Sequence, residues 1–304
     1  MTSEAVSPGR TRDDVAARLL GGSVRRSYAP VVDIDWDAPL VAGRWFLPPE
    51  MCTLYGTDLW DSLSQDQRIE LSRQELVNLL SMGVWFENLL NRLLLRQLLD
   101  ADPTARDAHY SLTEMGDECR HMVMFGRVID RVGARPYRLR GWQRAVVKYL
   151  LPLLIRGAAV WVFALVGEEI FDAQQRAIIG GDTEQLQPIV VRLMQIHVAE
   201  EARHIGYARD GARRGVATRS RVQTLVAGNL HAAAAYGFRY LFANPRMYTR
   251  VGLDGWPTYR VAITNPNHVA AKHDGFRGLG QFLSSVGLMG PVARRAWRKT
   301  GFWK

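Results

Sequence analysis

The chain has 304 residues, of which 47% are hydrophobic and 10% aromatic, so it can bury a sizeable core and is not a disordered chain. Its two cysteines, Cys52 and Cys119, cannot build a disulfide framework, which fits a reducing compartment. The first residues contain no continuous apolar stretch of the signal-peptide type, so we expect a cytoplasmic protein.

The net charge of +9 and the isoelectric point near 9.9 predict an electropositive surface. Its basic residues are spread along the chain, and no zinc-finger spacing, RNP sequence or basic zipper accompanies them. We therefore expect a solvated basic surface and no nucleic-acid partner.

The most apolar stretch runs from Tyr149 to Phe171. It contains Pro152, Arg156 and two adjacent glutamates, which a membrane span does not tolerate well. We interpret this stretch as a buried helix and expect no membrane association.

The chain divides into three parts. Residues 1–45 lack sustained periodicity and predict an extension lying over the main domain. Residues 46–245 predict a helical bundle, and residues 246–304 predict a loop and a helical tail packed on it. Apolar residues at helical spacing and the breaks between them predict one helix from Ser64 or Asp66 to Asp100, then His109–Val132, Trp142–Ile179 with a bend near Pro152, a helix with Pro188 in its first turns that ends near Arg214, and Arg219–Phe242.

Four long helices joined by short breaks favour an all-α four-helix bundle. The stretch Asn244–Asn267 is rich in proline, glycine and asparagine, and it predicts a loop. The register of the helical tail after it cannot be assigned from the sequence.

The segment Ile196–Ile205 carries three groups that can bind a transition metal. His197, Glu201 and His204 stand at i, i+4 and i+7, so they point from one face of a helix. That face predicts a metal site, for which other helices have to supply the remaining ligands.

Each of the other three bundle helices carries a candidate ligand. Glu87 lies in an apolar run of the first helix, Glu118 and His121 form a Glu-x-x-His motif on the second, and Glu168 lies on the third. A glutamate from each of two helices and Glu-x-x-His from each of the other two is the di-iron or di-manganese pattern of ferritin-like bundles. Surface salt bridges are the alternative, but unpaired carboxylates are seldom buried without a partner or a metal.

Two assignments stay open on the residues alone. Glu168 is favoured over Glu169 because it shares a helix face with more apolar residues. Asp117 and Glu200 each precede a ligand histidine by four residues, where a carboxylate could accept the second ring N–H of a ligand histidine. Alternatively, each is an exposed carboxylate paired with Arg120 or Arg203.

At these residues the chain resembles the AurF-type di-iron N-oxygenases, typified by p-aminobenzoate N-oxygenase. The resemblance covers about residues 70–211 and is strongest in Asp117-Glu-Cys-Arg-His121, in Glu168-Glu-Ile-Phe-Asp172 and in His197-Val-Ala-Glu-Glu-Ala-Arg-His204. The family adds a third histidine four residues before the last ligand glutamate, and His197 stands at that position.

The resemblance implies a ferritin-like fold, usually dimeric, with two iron ions. It makes Glu87, Glu118 and His121 ligands of one iron, and it assigns the other iron to four residues: Glu168, His197, Glu201 and His204. Glu118 and Glu201 are the expected bridges.

The activity that the resemblance implies is oxidation of a small amine metabolite with O2 through a peroxo-diferric intermediate, towards the nitro level. It needs an external electron donor, as a reductant or an electron-transfer partner. The alternatives are a di-iron C–H hydroxylase or desaturase, a ferroxidase or metal-storage protein, and a basic binding protein with a structural metal.

Overall fold

The computed structural model describes residues 11–218 and 221–303, without the side chains of residues 221–224 and 226. The first ten residues of the predicted extension and the predicted helix start at Arg219 lie outside the described residues. Within the described part the secondary structure is helical, and the one β-bridge, between Trp45 and Leu186, belongs to no strand.

The helices are numbered in chain order. Their bounds are α1 Arg12–Arg25, α2 Pro30–Asp33, α3 Asp58–Asp61, α4 Gln65–Leu98, α5 Arg106–Arg131, α6 Gly141–Ala145, α7 Leu151–Leu154, α8 Ala158–Ile179, α9 Pro188–Ala217, α10 Arg221–Phe242, α11 Pro245–Arg250, α12 Gly255–Thr264, α13 Pro266–Ser285 and α14 Pro291–Thr300. A 3₁₀ turn covers Pro49–Met51, and a π-helical turn, Val146–Leu150, joins α6 to α7.

Helices α4, α5, α8 and α9 form a four-helix bundle, which confirms the predicted fold class. Helix α4 packs against α5 and α8, and α9 packs against the same two helices from the other side. One apolar cluster, with Leu89 and Leu165, fills one end of the bundle, and a second, with Leu76 and Leu193, fills the other. A layer of buried polar residues lies between the two clusters.

A glycine permits the close approach of α4 to α8. A Cβ atom on Gly167 would stand 1.8 Å from the Phe86 ring, a distance that no packed side chain tolerates. The aromatic ring of α4 therefore lies directly on the backbone of α8.

Two regions in which the sequence predicts no helix contain helices in the structure. Thr11 is the N-cap of α1 and forms a capping box with Asp14, and the helix packs against α5 and α9. The predicted loop Asn244–Asn267 is wrong, because it holds α11 and α12. Proline and asparagine can start a helix as well as interrupt one, proline at the first helical position and asparagine at the N-cap. Here Asn244 is the N-cap of α11, its side chain accepts a hydrogen bond from the backbone N–H of Arg246, and Pro245 is the first helical residue.

The predicted helix Trp142–Ile179 is interrupted. The helical conformation is interrupted at Gly157, whose φ of 57° lies in the left-handed region, and α8 begins after it. Pro152 does not interrupt a helix, because it occupies the first turn of α7, where its missing N–H is not needed.

Tyr149–Phe171 is therefore not one buried helix. Its second part, in α8, is buried, but Tyr149 and Leu153 are about 60% exposed. Among residues 11–218 and 221–303, no helix has the length and hydrophobicity needed to cross a membrane.

Candidate metal centre

The seven predicted ligands meet in the polar layer of the bundle. Each is at most 3% exposed, although each carries an ionisable group. They are Glu87 from α4, Glu118 and His121 from α5, Glu168 from α8, and His197, Glu201 and His204 from α9.

The seven residues form two adjoining groups, each able to hold one metal ion. In each group one possible ligand atom per residue lies within 4.8 Å of all the others. One group is Glu87, His121, His197 and Glu201, and the other is Glu118, Glu168, Glu201 and His204.

Glu118 and Glu201 lie between the groups. The two carboxylate oxygens of Glu118 lie 2.9 Å from Nδ1 of His121 and 2.9 Å from Nδ1 of His204. Oε1 of Glu201 lies 3.4 Å and 3.6 Å from the same two nitrogens. Each carboxylate therefore lies near a histidine of both groups, and the resemblance implies that both bridge the metals.

His197 stands with Glu87 rather than with Glu168. Its Nε2 lies 3.8 Å from Oε1 of Glu87 and 3.3 Å from Oε1 of Glu201, and its ring centre lies 4.5 Å from that of His121. The resemblance places His197 beside the metal of Glu168 and His204, whereas the geometry groups it with Glu87 and His121.

The buried polar atoms of the cluster fit metal ions. Several of them have no hydrogen-bond partner among the described residues. They include both carboxylate oxygens of Glu168, both carboxylate oxygens of Glu201 and both ring nitrogens of His197. Buried polar atoms without partners are costly, and metal coordination would satisfy them. Carboxylate and imidazole together suit iron and manganese, so the residues present fit a dinuclear centre.

The electrostatics of the cluster also favour bound cations. Burial and the neighbouring carboxylates raise the pKa of Glu87, Glu168 and Glu201 above the usual range. Burial alone would raise the pKa of Glu118 too, but the adjacent His204 and His121 lower it well below that range. Carboxylates that repel one another in a dry interior are stabilised by two shared cations.

Two outer carboxylates orient the ligand histidines across the helix pair. Oδ2 of Asp117, on α5, lies 3.2 Å from Nε2 of His204 on α9. Oε2 of Glu200, on α9, lies 2.9 Å from Nε2 of His121 on α5. These contacts leave both Nδ1 atoms facing the carboxylate cluster.

Arginines connect the two outer carboxylates. Asp117 pairs with Arg120 and lies 3.4 Å from Arg203, which lies 3.8 Å from Glu200. Each carboxylate therefore contacts both a histidine and an arginine, and the alternative of an exposed carboxylate is wrong, since Asp117 is 3% and Glu200 is 0% exposed. Tyr28, after α1, donates its backbone N–H to Glu200 at 3.4 Å and closes the network from outside.

The structure places Glu168, and not Glu169, in the cluster. Glu169 accepts two hydrogen bonds of 2.7 Å from the Arg209 guanidinium. A carboxylate paired in this bidentate way is not available to a metal.

Glu114 also lies near the predicted ligands, although no motif in the sequence indicated it. It is fully buried, and neither carboxylate oxygen has a hydrogen-bond partner among the described residues. Burial raises its pKa to about 8. It precedes Glu118 by four residues on the same face of α5, and that spacing was the available signal.

A four-helix bundle that encloses two adjoining carboxylate and histidine groups defines a ferritin-like protein of the di-metal oxygenase class. A family model described as "P-aminobenzoate N-oxygenase AurF" matches residues 9–287. The chain belongs to this family, as the sequence resemblance indicated.

Curated relatives agree over nearly the whole chain. Uncharacterized proteins of Mycobacterium tuberculosis and Mycobacterium bovis are 31% identical to it over 308 residues, which cover 94% of this chain and 86% of each relative. Their activity is not described, so they support the family and not the substrate.

A solved structure shares the fold. A point mutant of an R2-like ligand-binding oxidase, with an anaerobically reconstituted Mn/Fe cofactor, aligns with a TM-score of 0.50 and 17% identity over 94% of this chain and 95% of that chain. At this identity the similarity supports the helical fold alone.

Proposed function

We propose that this protein is a di-iron oxygenase that uses O2 to oxidise the nitrogen of a small amine, of the arylamine type. The observation that carries the proposal is the third histidine. His197 is 1% exposed and lies against Glu201 and Glu87. Neither ring nitrogen of His197 has a hydrogen-bond partner among the described residues. Membership of the N-oxygenase family supports the same activity.

The residues of this chain hold and orient the centre. Seven side chains on four helices would bind the metals, while Asp117 and Glu200 fix which ring nitrogen of His204 and His121 faces inwards. When bound, two reduced irons would supply the electrons that activate O2, so an external donor has to restore them after each turnover. The two apolar clusters keep bulk water away from the reaction.

A cavity that none of the seven predicted ligands lines is the candidate substrate pocket. It has a volume of about 460 Å³ and lies between α4, α8 and α13. Leu79, Ala173 and Phe242 contribute apolar walls, and the polar lining includes the ionisable side chains of Glu75 and Lys272. Ala173 follows Glu168 by five residues, which is about 8 Å along a helix. This size suits a molecule of one or two rings.

Phe171 lies near one ring that lines this cavity and near the ring of Phe86, which precedes Glu87 on α4. Its ring centre lies 6.4 Å from that of Phe242, which lines the cavity, and 6.3 Å from that of Phe86 beside the cluster. We propose that an aromatic substrate enters along this row of rings, because stacked and tilted ring contacts stabilise it there.

Anaerobic loading with Fe²⁺ and rapid mixing with O2 test the activity. With arylamines present, we expect products that carry oxygen from labelled O2 on nitrogen, in amounts limited by the reductant supplied. Glu168→Gln is the matched control, since it removes one ligand and leaves the cavity in place. Oxygen inserted into C–H bonds, or no effect of any amine on the O2 reaction, would contradict N-oxygenation.

A further inference from the structure

The segment between α5 and α8 has an unusual charge. From residue 132 to residue 167 the sequence contains no aspartate or glutamate. Over the same stretch it contains six cations, and all six are exposed: Arg135, Arg138, Arg140, Arg144, Lys148 and Arg156. This surface is therefore one-sidedly positive.

The same segment exposes large apolar side chains. Its inner side packs on the bundle through Val147, Leu151 and the buried Ile155. The outer side carries five residues that are 47–67% exposed: Trp142, Tyr149, Leu150, Leu153 and Leu154. Apolar surface grouped in this way is unfavourable in water and indicates a contact with another protein or with a membrane.

Arginines of α4 hold this outer surface in place. Arg92 donates to the backbone carbonyl of Lys148 at 2.7 Å, and Arg96 donates to the carbonyls of Pro152 and Ile155. The apolar side chains thus project from an anchored segment, so their exposure does not come from a frayed helix end.

An open groove adjoins the segment. It has a volume of about 940 Å³ and lies between the segment and the outer faces of α4 and α5. Its lining includes the apolar Val84, Met122 and Val147, the cations Arg144 and Lys148, and one carboxylate, Asp130. An apolar lining with four cations against one carboxylate fits an acyl chain that carries an anionic headgroup.

We propose that residues 138–156 dock the protein on the surface of an anionic phospholipid bilayer. Aromatic and leucine side chains flanked by arginine and lysine are the pattern of interfacial helices, and each cation adds attraction to an anionic leaflet. A second copy fits less well, because a two-fold contact would bring the six cations of each copy together with only Asp130 of the groove to pair them. The proposal departs from the expectation of no membrane association. It concerns surface binding and no membrane crossing.

Flotation with lipid vesicles tests the proposal on the full chain loaded with metal. We expect binding to vesicles of phosphatidylcholine with phosphatidylglycerol, weaker binding to phosphatidylcholine alone, and release at high salt. The double variant Leu153→Ser with Leu154→Ser should bind about tenfold more weakly, since it removes apolar groups that would enter the interface. The charge variant Arg144→Glu with Lys148→Glu should lose the preference for anionic lipid.

Leu112→Ser combined with Val292→Ser is the matched control. These residues are 53% and 65% exposed and lie outside the segment. Equal weakening by the control, or vesicle binding that ignores the anionic lipid, would overturn the proposal. A purified protein that stays off all vesicles and dimerises through Leu153 and Leu154 would overturn it as well, and would assign the surface to a second copy.

Discussion

Glu118 and Glu201 account for the dinuclear character of the site, because each faces two histidines at once. A single metal would need only one of the two groups of ligands. The spacing of Glu118 to His121 and of Glu201 to His204 was sufficient to predict that these four residues share one centre. The grouping of His197 with Glu87 was not predictable, because it depends on how α4 and α9 pack around the cluster.

Glu168 and Glu169 form a natural pair of test residues. Glu168→Gln should reduce the metal content from two ions per chain to about one, because it removes an anionic ligand. Glu169→Gln should keep both ions and lower stability by about 1 kcal/mol through loss of the Arg209 ion pair. Elemental analysis and thermal melts of both variants separate these effects. Loss of one ion in Glu169→Gln, with both ions kept in Glu168→Gln, would show that Glu169 is the ligand and that Glu168 is not.

The crossed outer carboxylates make a second residue-scale prediction. Asp117→Asn and Glu200→Gln should each weaken metal binding by about 10- to 100-fold, because they remove the acceptors that orient His204 and His121. Competition with a chelator measures the affinity. Glu50→Gln, an exposed position distant in the chain, serves as the control. Unchanged affinity in both variants would show that the carboxylates only pair with Arg120 and Arg203.

Glu75 should cause a pH dependence of stability that is separate from the metal centre. Burial raises its pKa from 4.5 to about 7, although Thr53 donates two groups to it and thereby lowers the pKa. A raised carboxyl pKa contributes stability below pH 4.5, and this contribution is lost as the pH rises through 7. Relative to wild type, Glu75→Gln should therefore gain about 3 kcal/mol between pH 4.5 and pH 8. Denaturant titrations across this range measure the difference, and a constant difference would contradict the assignment.

At the scale of elements, the bundle depends on close contacts as well as on apolar periodicity. Helical periodicity was enough to predict α4, α5 and α9 near their observed bounds, and the C-terminal ends of α8 and α10. It could not indicate α11 and α12, because their short apolar faces are hidden among proline, glycine and asparagine. It also missed the break before α8, since the backbone conformation of Gly157 depends on tertiary packing.

Gly167 tests the contact between α4 and α8. Gly167→Ala should destabilise the protein by about 1–3 kcal/mol, because the added methyl group overlaps the Phe86 ring and pushes the helices apart. Gly206→Ala is the matched control within α9, where an added Cβ meets no atom within 4 Å. It should be neutral or stabilise by up to about 1 kcal/mol. Thermal melts of the two variants decide the matter, and equal midpoints would contradict the packing argument.

For the whole molecule, folding and metal binding are coupled. The bundle buries seven ligand side chains and Glu114 in one layer, so their desolvation lowers the stability of the metal-free state. Each bound ion, at a hundredfold excess over its dissociation constant, should stabilise the fold by about 3 kcal/mol. Melts before and after chelation measure this difference, and identical curves would indicate that the fold is independent of metal.

The most direct test of the dinuclear centre is an anaerobic titration of the metal-free protein with Fe²⁺, followed by exposure to O2 and Mössbauer and electron paramagnetic resonance spectroscopy. We predict two ions per chain and, after oxidation, a coupled ferric pair with no signal from isolated high-spin iron. One ion per chain with an isolated ferric signal would contradict the dinuclear centre, and many ions per chain would indicate iron storage instead.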